Sequence, residues 1–390
     1  MKLNNLMMLC AVLFGLSGCS KVDYTEIDKP AYLRVFNNLN LKIGLENKDE
    51  ERPFLTMLID PVLDKDGLPT GAAIKGDFLD QRAPYAPPYP SHIGSNNSVN
   101  NPEYPGKENV LVGPVLNGFD LSSWAQIPSG THRIMFLYRP TNSIPFFNLE
   151  PGLRKKVLVD TVLTFGERDV YTMHVLQRDF TTKETGLLLR KEVFHTLPLS
   201  DSLVYMNFYN YSSDGFWQAD NSLKKYQHSS GLLQNGIRDD MNIWLSLCKG
   251  TSTTPLPGQQ FGYLGQVVRD ARSGNVTPYY SFPLFADPAS DHISTDIWGR
   301  FTLLAPGIDP ERNPYGDVSA DTEGAYAFIS CRGNGSAMNE QGALTLPGLI
   351  VNIHSGKYNH RSFATVNTIE IVNGNAYLTT VQRKYPPPVY

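Results

Sequence analysis

The sequence predicts an all-β protein built as two tandem antiparallel β-sandwich (immunoglobulin- or transthyretin-like) domains with long loops. Three observations predict it. Short runs rich in β-branched and aromatic residues recur along the whole chain. Gly, Pro, Asn and Asp punctuate them. No long stretch keeps a helical period, and Ser222 to Leu233 is the best helical candidate. At 390 residues the chain is too long for one ordinary domain, which makes two the natural division. Hydrophobic residues at 41% are enough for real cores, and charged residues at 18% are too few for a disordered chain.

The strands follow in order. Tyr32 to Phe36 alternates and ends at Asn37-Asn38. Phe54 to Ile59 comes next, followed by Asp64-Lys65-Asp66-Gly67. That tetrapeptide has part of a calcium-loop pattern but lacks the later ligands and the closing Glu, so it reads as an Asp-Gly turn between strands. Arg133 to Tyr138 follows a turn at Pro128-Ser129-Gly130. Lys156 to Phe165 and Asp169 to Leu176 flank Gly166-Glu167-Arg168 and read as a hairpin. Leu187 to Phe194 closes the first half. The second half offers Leu203–Tyr209, Asn242–Leu247, Phe261–Val268, Tyr279–Leu284, Tyr326–Cys331, Gly348–Ile353, Phe363–Val372 and Ala376–Arg383.

The halves echo one another. Tyr32-Leu33-Arg34-Val35-Phe36-Asn37-Asn38 and Tyr205-Met206-Asn207-Phe208-Tyr209-Asn210-Tyr211 both set an apolar strand ahead of an Asn turn. Near each end, residues 160–178 and 367–383 read as matching hairpins around Gly166 and Gly374. A tandem repeat of one sandwich follows, with domains at 31–198 and 199–390. Two stretches break the rhythm as long loops, Asp80 to Gly106 and Ile308 to Gly324.

The start of the chain has its own logic. Lys2 precedes an apolar run, Leu6 to Leu16, too short to span a bilayer as a helix. Leu16-Ser17-Gly18-Cys19 resembles the lipobox of bacterial lipoproteins. The resemblance implies a signal peptide at 1–18, a lipidated Cys19 and a tether over 19–30; two or more acyl chains make a stable membrane anchor. Ser20-Lys21-Val22-Asp23 partly resembles the acidic tags that carry lipoproteins of Bacteroidetes to the outer face of the outer membrane.

Arg34-Val35-Phe36-Asn37, the Pro128-Ser129-Gly130-Thr131-His132 turn and the Gly166 hinge before Tyr171-Thr172 are similar to motifs of a group of Bacteroidetes surface lipoproteins. That group carries tandem immunoglobulin- or transthyretin-like domains of unknown function. The resemblance covers most of residues 31–196 and only the ends of 203–385. The second half departs from it, with Asn207-Phe208 in place of Arg-Val.

Motifs for chemistry are sparse. Gly-x-Ser-x-Gly and His-Glu-x-x-His are absent, and Gly333-Asn334-Gly335-Ser336-Ala337 reads as a turn. No catalytic residue, metal site or cofactor is expected. A net charge of −4 gives no electrostatic reason to bind nucleic acid. Cys248 and Cys331 lie in strand-like contexts of an exported chain and form the candidate disulfide. Aromatic side chains outside the strands offer flat apolar faces with polar tips, suited to stacking on sugars or packing on partners. Tyr85, Tyr89, Tyr104, Tyr211, Trp217 and Tyr315 are the ligand-binding candidates, with Tyr279 a further exposed-aromatic candidate. The sequence therefore points to a membrane-anchored envelope lipoprotein, a non-catalytic binding or structural module for glycan capture at the cell surface. Its partners would be the membrane, through the N-terminal lipid, and a glycan or envelope protein. The alternatives are a fimbria- or adhesion-associated subunit and an envelope hydrolase without a recognisable motif.

Overall fold

The structure is a computed structural model. It describes residues 27–37, 39, 54–79, 125–142, 144–193, 200, 203–215, 240–249, 254–260, 262–283, 286–287, 292–293, 297–304, 306–307, 310, 322–323, 327–331, 348–354, 363–372 and 375–384. The described residues are all-β apart from two short 3-10 turns.

The first half holds β1 (Pro30–Asn37), β2 (Leu55–Leu63), β3 (Pro69–Leu79), β4 (Ala125–Pro128), β5 (Gly130–Tyr138), β6 (Val157–Phe165), β7 (Val170–Gln177) and β8 (Thr185–Glu192). They form two four-stranded sheets. Sheet I runs β4-β1-β7-β8 and sheet II runs β3-β2-β5-β6. Alternation along each strand builds the core between them. Leu33 and Val35 of β1 and Met173 and Val175 of β7 meet Met57 and Ile59 of β2 and Ile134 and Phe136 of β5 in one buried cluster. Two sheets closing on one apolar layer make a β-sandwich.

The outer face of sheet II is covered at one end. Leu58, Met135 and Leu137 pack under Phe146 and Leu149. Buried Asp77 holds that covering segment: it accepts from Thr56 Oγ1 (2.7 Å) and Phe146 N (2.7 Å) and is ion-paired with buried Arg139. Arg139 in turn donates to the carbonyl of Ile144 at 2.6 Å. Between β2 and β3, the Asp64 carboxylate accepts from the amides of Asp66 (2.9 Å) and Leu68 (2.8 Å), and Gly67 takes a φ of 77°. Its carboxylate oxygen is engaged by main chain, so the segment is the expected hairpin turn.

The second half holds β9 (Leu203–Asn210), β10 (Asp240–Lys249), β11 (Gly262–Val268), β12 (Tyr280–Pro283), β13 (Ala286–Asp287), β14 (His292–Ile293), β15 (Ile297–Leu304), β16 (Thr322–Glu323), β17 (Ala327–Cys331), β18 (Gly348–His354), β19 (Phe363–Val372) and β20 (Asn375–Lys384). Sheet III runs β12-β9-β19-β20 and sheet IV runs β11-β10-β15-β18-β17-β16, with β13 and β14 as a separate pair. The rings of Phe208 on β9 and Phe301 on β15 lie 5.5 Å apart, and Phe282 on β12 meets Phe301 at 5.8 Å. These contacts join sheet III to sheet IV across a second apolar layer.

The strand orders correspond. Sheet I places β1 beside β7 in parallel, and sheet III places β9 beside β19 in parallel. In both, the partner strand then turns back as an antiparallel hairpin, β7–β8 and β19–β20. Asn37 Oδ1 accepts from Leu39 N at 3.2 Å and Asn210 Oδ1 from Ser212 N at 3.1 Å, so both opening strands end in the same Asx turn.

Three expectations need correction. The predicted hairpin over residues 160–178 does not exist: β6 pairs with β5 in sheet II, while β7 pairs with β1 and β8 in sheet I. The turn at Gly166 is a corner between sheets, where Tyr171 Oη accepts from Gly166 N at 2.9 Å. The counterpart of the 363–384 hairpin is therefore 170–192. Sheets I and III are mixed rather than purely antiparallel, since each joins strands far apart in the chain, which permits the long connection a parallel pair needs. Strands β3 and β15 were not expected either, because Gly71, Gly76 and Gly299 interrupt their alternation. The helical candidate Ser222–Leu233 and most of both long loops lie outside the described residues.

Candidate functional site: a buried ionic joint and the groove beside it

Strand β7 is buried on both faces. One face enters the first core. The other carries Val170, Thr172, His174 and Leu176, and beside it β8 presents Leu188, Arg190 and Glu192. This second face is covered by the other half of the chain: Val170, Leu176 and Leu188 cluster with Tyr209, Tyr211 and Ala271.

Arg190 is the centre of the joint and is fully buried. It donates from Nε (3.0 Å) and Nη2 (2.8 Å) to Glu192 Oε1, and from Nη1 (2.9 Å) to Tyr211 Oη. Its guanidinium lies 4.2 Å from the centre of the Tyr209 ring and 5.6 Å from that of Tyr211. The cation is thus paired, hydrogen-bonded and stacked on aromatic faces, the combination a buried charge requires. Burial pushes the Glu192 carboxyl up, but the charge and hydrogen bonds of Arg190, helped by Thr172 and Arg34, outweigh it and hold the group below its ordinary range. Burial raises the Tyr211 phenol to about 12, against the opposing pull of Arg190. Tyr209 Oη accepts from Thr277 N at 3.0 Å, which fixes the segment between β11 and β12 over the joint. In that segment Gly274 lies so close to the Leu189 carbonyl that a side chain has no room.

Main chain ties the halves together as well. Phe180 N donates to Asp214 O (2.8 Å), Asp214 N to Arg178 O (2.7 Å) and Ser213 Oγ to Gln177 O (2.8 Å). Arg272 grips Glu184 through both nitrogens at 2.9 and 3.0 Å on the exposed rim.

Beside the joint, a groove of about 570 Å³ opens between β9 and β11. Phe208, Tyr209, Tyr211 and Tyr280 line it with aromatic rings; Gln266, Ser273 and Asn275 line it with amides and a hydroxyl. A bulge in β11, opposite Ile243 and Trp244, shapes this wall. Gly265 sits at the bulge with a φ of 151°, and a Cβ there would lie 2.6 Å from Tyr280 Oη. Only glycine lets that hydroxyl approach. The groove can hold a ligand with flat apolar faces and hydroxyl groups at its edges.

Of the residues expected to act, Tyr211 is 4% exposed, its hydroxyl is engaged by Arg190, and it also lines the groove. It is therefore held in place rather than presented as a free aromatic platform. Tyr85, Tyr89, Tyr104, Trp217, Tyr315 and Cys19 lie outside the described residues. Cys248 is a free, buried thiol whose pKa burial raises. The register separates it from Cys331: Cys248 is opposite Trp298 on β15, whereas Cys331 is opposite Leu349, which is opposite Leu303 on β15. Five residues along and three strands across correspond to roughly 16 Å and 14 Å, beyond the ~7 Å that a bridge spans between Cα atoms. The candidate disulfide does not form in this arrangement.

Sequence reasoning missed Arg190, Glu192, Tyr209 and Tyr280. One signal was present: Leu188, Arg190 and Glu192 share one face of β8 by strand period, and opposite charges on an otherwise apolar face suggest a buried pair.

No family model matches the chain, and no curated protein matches it. Among solved structures, a "putative cell adhesion protein" from Bacteroides ovatus aligns at 9% identity with a TM-score of 0.16, covering 94% of this chain and 100% of that one. A second protein so described, from Bacteroides uniformis, aligns at 10% identity with a TM-score of 0.14, covering 92% of this chain and 100% of that one. Likeness at this level leaves the functional reading to the residues themselves.

Proposed function

We propose that the protein is a lipid-anchored envelope lipoprotein whose folded part is a non-catalytic binding module, with a neutral glycan as ligand of the groove beside the joint. The groove carries this reading. The half-buried Tyr280 ring suits the flat face of a sugar ring, and the groove's amides and hydroxyl suit sugar hydroxyls. The lipobox at Leu16 to Cys19 supports the anchor, and the partial acidic tag after it supports display at the outer membrane surface. The matching strand orders support a duplication of one sandwich, residues 31–198 and 199–390. Several buried or paired carboxylates serve the fold, which favours binding over catalysis. Asp77 holds the segment at Phe146, Glu192 holds Arg190, and Asp60 joins His132 Nδ1 (2.6 Å) to Arg133 N (3.0 Å).

The test is calorimetric binding of the chain from residue 20 onward, which keeps every described strand, to a panel of neutral polysaccharides. Saturable binding that Tyr280→Ala weakens about tenfold or more, the scale of one lost stacking contact, supports the reading. Binding that is absent, or indifferent to Tyr280→Ala, removes it.

A further inference from the structure

Strand β6 ends sheet II on its outer side. Among the described residues nothing pairs with that edge. Exposed edges of this kind are ordinarily blunted by charged side chains, above all lysine, by proline, or by bulges. Residues 159–165 of β6 read Val-Asp-Thr-Val-Leu-Thr-Phe, with none of lysine, proline or glycine. Its single bulge lies earlier, near Leu158, where the register to β5 shifts. Val162 is 61% exposed. The one charge, Asp160, is neutralised within its own sheet by Arg133, which donates to it from Nε (2.9 Å) and Nη2 (2.6 Å). The Arg133 pair also lowers the Asp160 pKa, mainly through the side-chain hydrogen bond, so the carboxylate stays ionised at neutral pH.

We infer that this edge pairs with the same edge of a second copy, β6 to β6, about a two-fold axis at Thr161. The segment is self-complementary in that register. Thr161 faces Thr161, Val159 faces Leu163, and Asp160 faces Val162 of the copy, so like charges never meet. A two-fold interface needs such a self-complementary patch, and cross-strand pairs are the unit that stabilises it. Pairing joins two four-stranded sheets into one of eight strands. The inference is independent of the glycan reading, since β6 lies in the first half and the groove in the second.

Opposite charges at Val162 provide the test. In the monomer Val162 is opposite Arg133; in the dimer it faces Asp160 of the other copy. Val162→Asp sets like charges together at two symmetric positions across the axis, while within the monomer the attraction of Arg133 opposite offsets the repulsion of Asp160 two residues along the same face. Val162→Lys does the reverse. Sedimentation of the chain from residue 20 onward is expected to show a reversible dimer, weakened about tenfold or more by Val162→Asp and retained or strengthened by Val162→Lys. A wild-type chain that stays monomeric at its highest soluble concentration overturns the inference. So does a dimer that neither variant alters, or one that both weaken alike, because simple apolar contact would lose from either charge. Circular dichroism of both variants confirms that the exposed substitution leaves the fold intact.

Discussion

On β7, Tyr171, Met173 and Val175 enter the core of the first sandwich, while Val170, Thr172, His174 and Leu176 enter the joint. Seven of the strand's eight residues are thus buried, on two faces of different chemistry. The core is a continuous layer of aliphatic and aromatic side chains. The joint has an ion pair at its centre and tyrosines around it. Apolar packing is non-directional and accepts many arrangements of similar volume. A guanidinium that donates twice to one carboxylate oxygen and once to a phenol, with two ring faces beside it, accepts very few. The core thus stabilises the half, while the directional contacts of Arg190 restrict how the second half can dock on it.

That contrast can be broken in several ways. Removing Phe136, fully buried in the core, should have the largest effect: Phe136→Ala is expected to cost about 3–5 kcal/mol, read as a lower urea midpoint for the first half. Glu192→Ala strands the Arg190 charge and should cost about 3 kcal/mol. Unlike the core variant, it should split unfolding into two transitions. A joint variant that lowers a single cooperative transition without splitting it would mean that the pair serves general stability. The double change Arg190→Met with Glu192→Leu sharpens the point, because apolar replacement of a buried pair is often neutral. Stability near wild type with loosened docking, seen by small-angle scattering, is the expected result.

Tyr211→Phe removes one hydrogen bond to a buried cation and should cost about 1.5 kcal/mol. Its titration gives an independent reading. The Tyr211 pKa is raised to about 12 from an ordinary value near 10, so its contribution is present below about pH 10 and is lost as pH rises through about 12. Glu192 runs the other way. Its lowered pKa makes its contribution present above the ordinary carboxylate range and lost as pH falls through the depressed value. Near-ultraviolet circular dichroism of the buried tyrosines should therefore change at both extremes and stay flat between them. The smallest effect belongs to the exposed rim: Arg272→Ala should leave the unfolding midpoint within error, since solvent screens that pair.

Much of the strand inventory was legible because alternation is local. Residues 54–59 and 187–192 announce their own conformation. The Asp64 turn was legible for the same reason. The 160–178 hairpin was misread because a glycine between two strands predicts a turn but not whether the next strand stays in the same sheet. Tyr211 was misread because exposure depends on what arrives from elsewhere in the fold, here β8. The candidate site was almost entirely hidden: the groove depends on a bulge in β11 and on Tyr280 approaching Gly265 from another sheet.

Local pattern alone establishes the all-β class, the Asn turn that ends each opening strand, and the lipobox-like stretch ahead of the folded part. All three rest on neighbouring residues and a period of two. Which strands pair, the parallel alignment of β1 with β7, and the enclosure of Arg190 by Tyr209 and Tyr211 are matters of tertiary contact. Those outcomes rest on contacts between residues far apart in the chain, such as Arg34 and Thr172, 138 positions apart. The strand period sets Arg190 and Glu192 on one face of β8, but the tyrosines that bury them arrive from residues 209 and 211 in the other half of the chain.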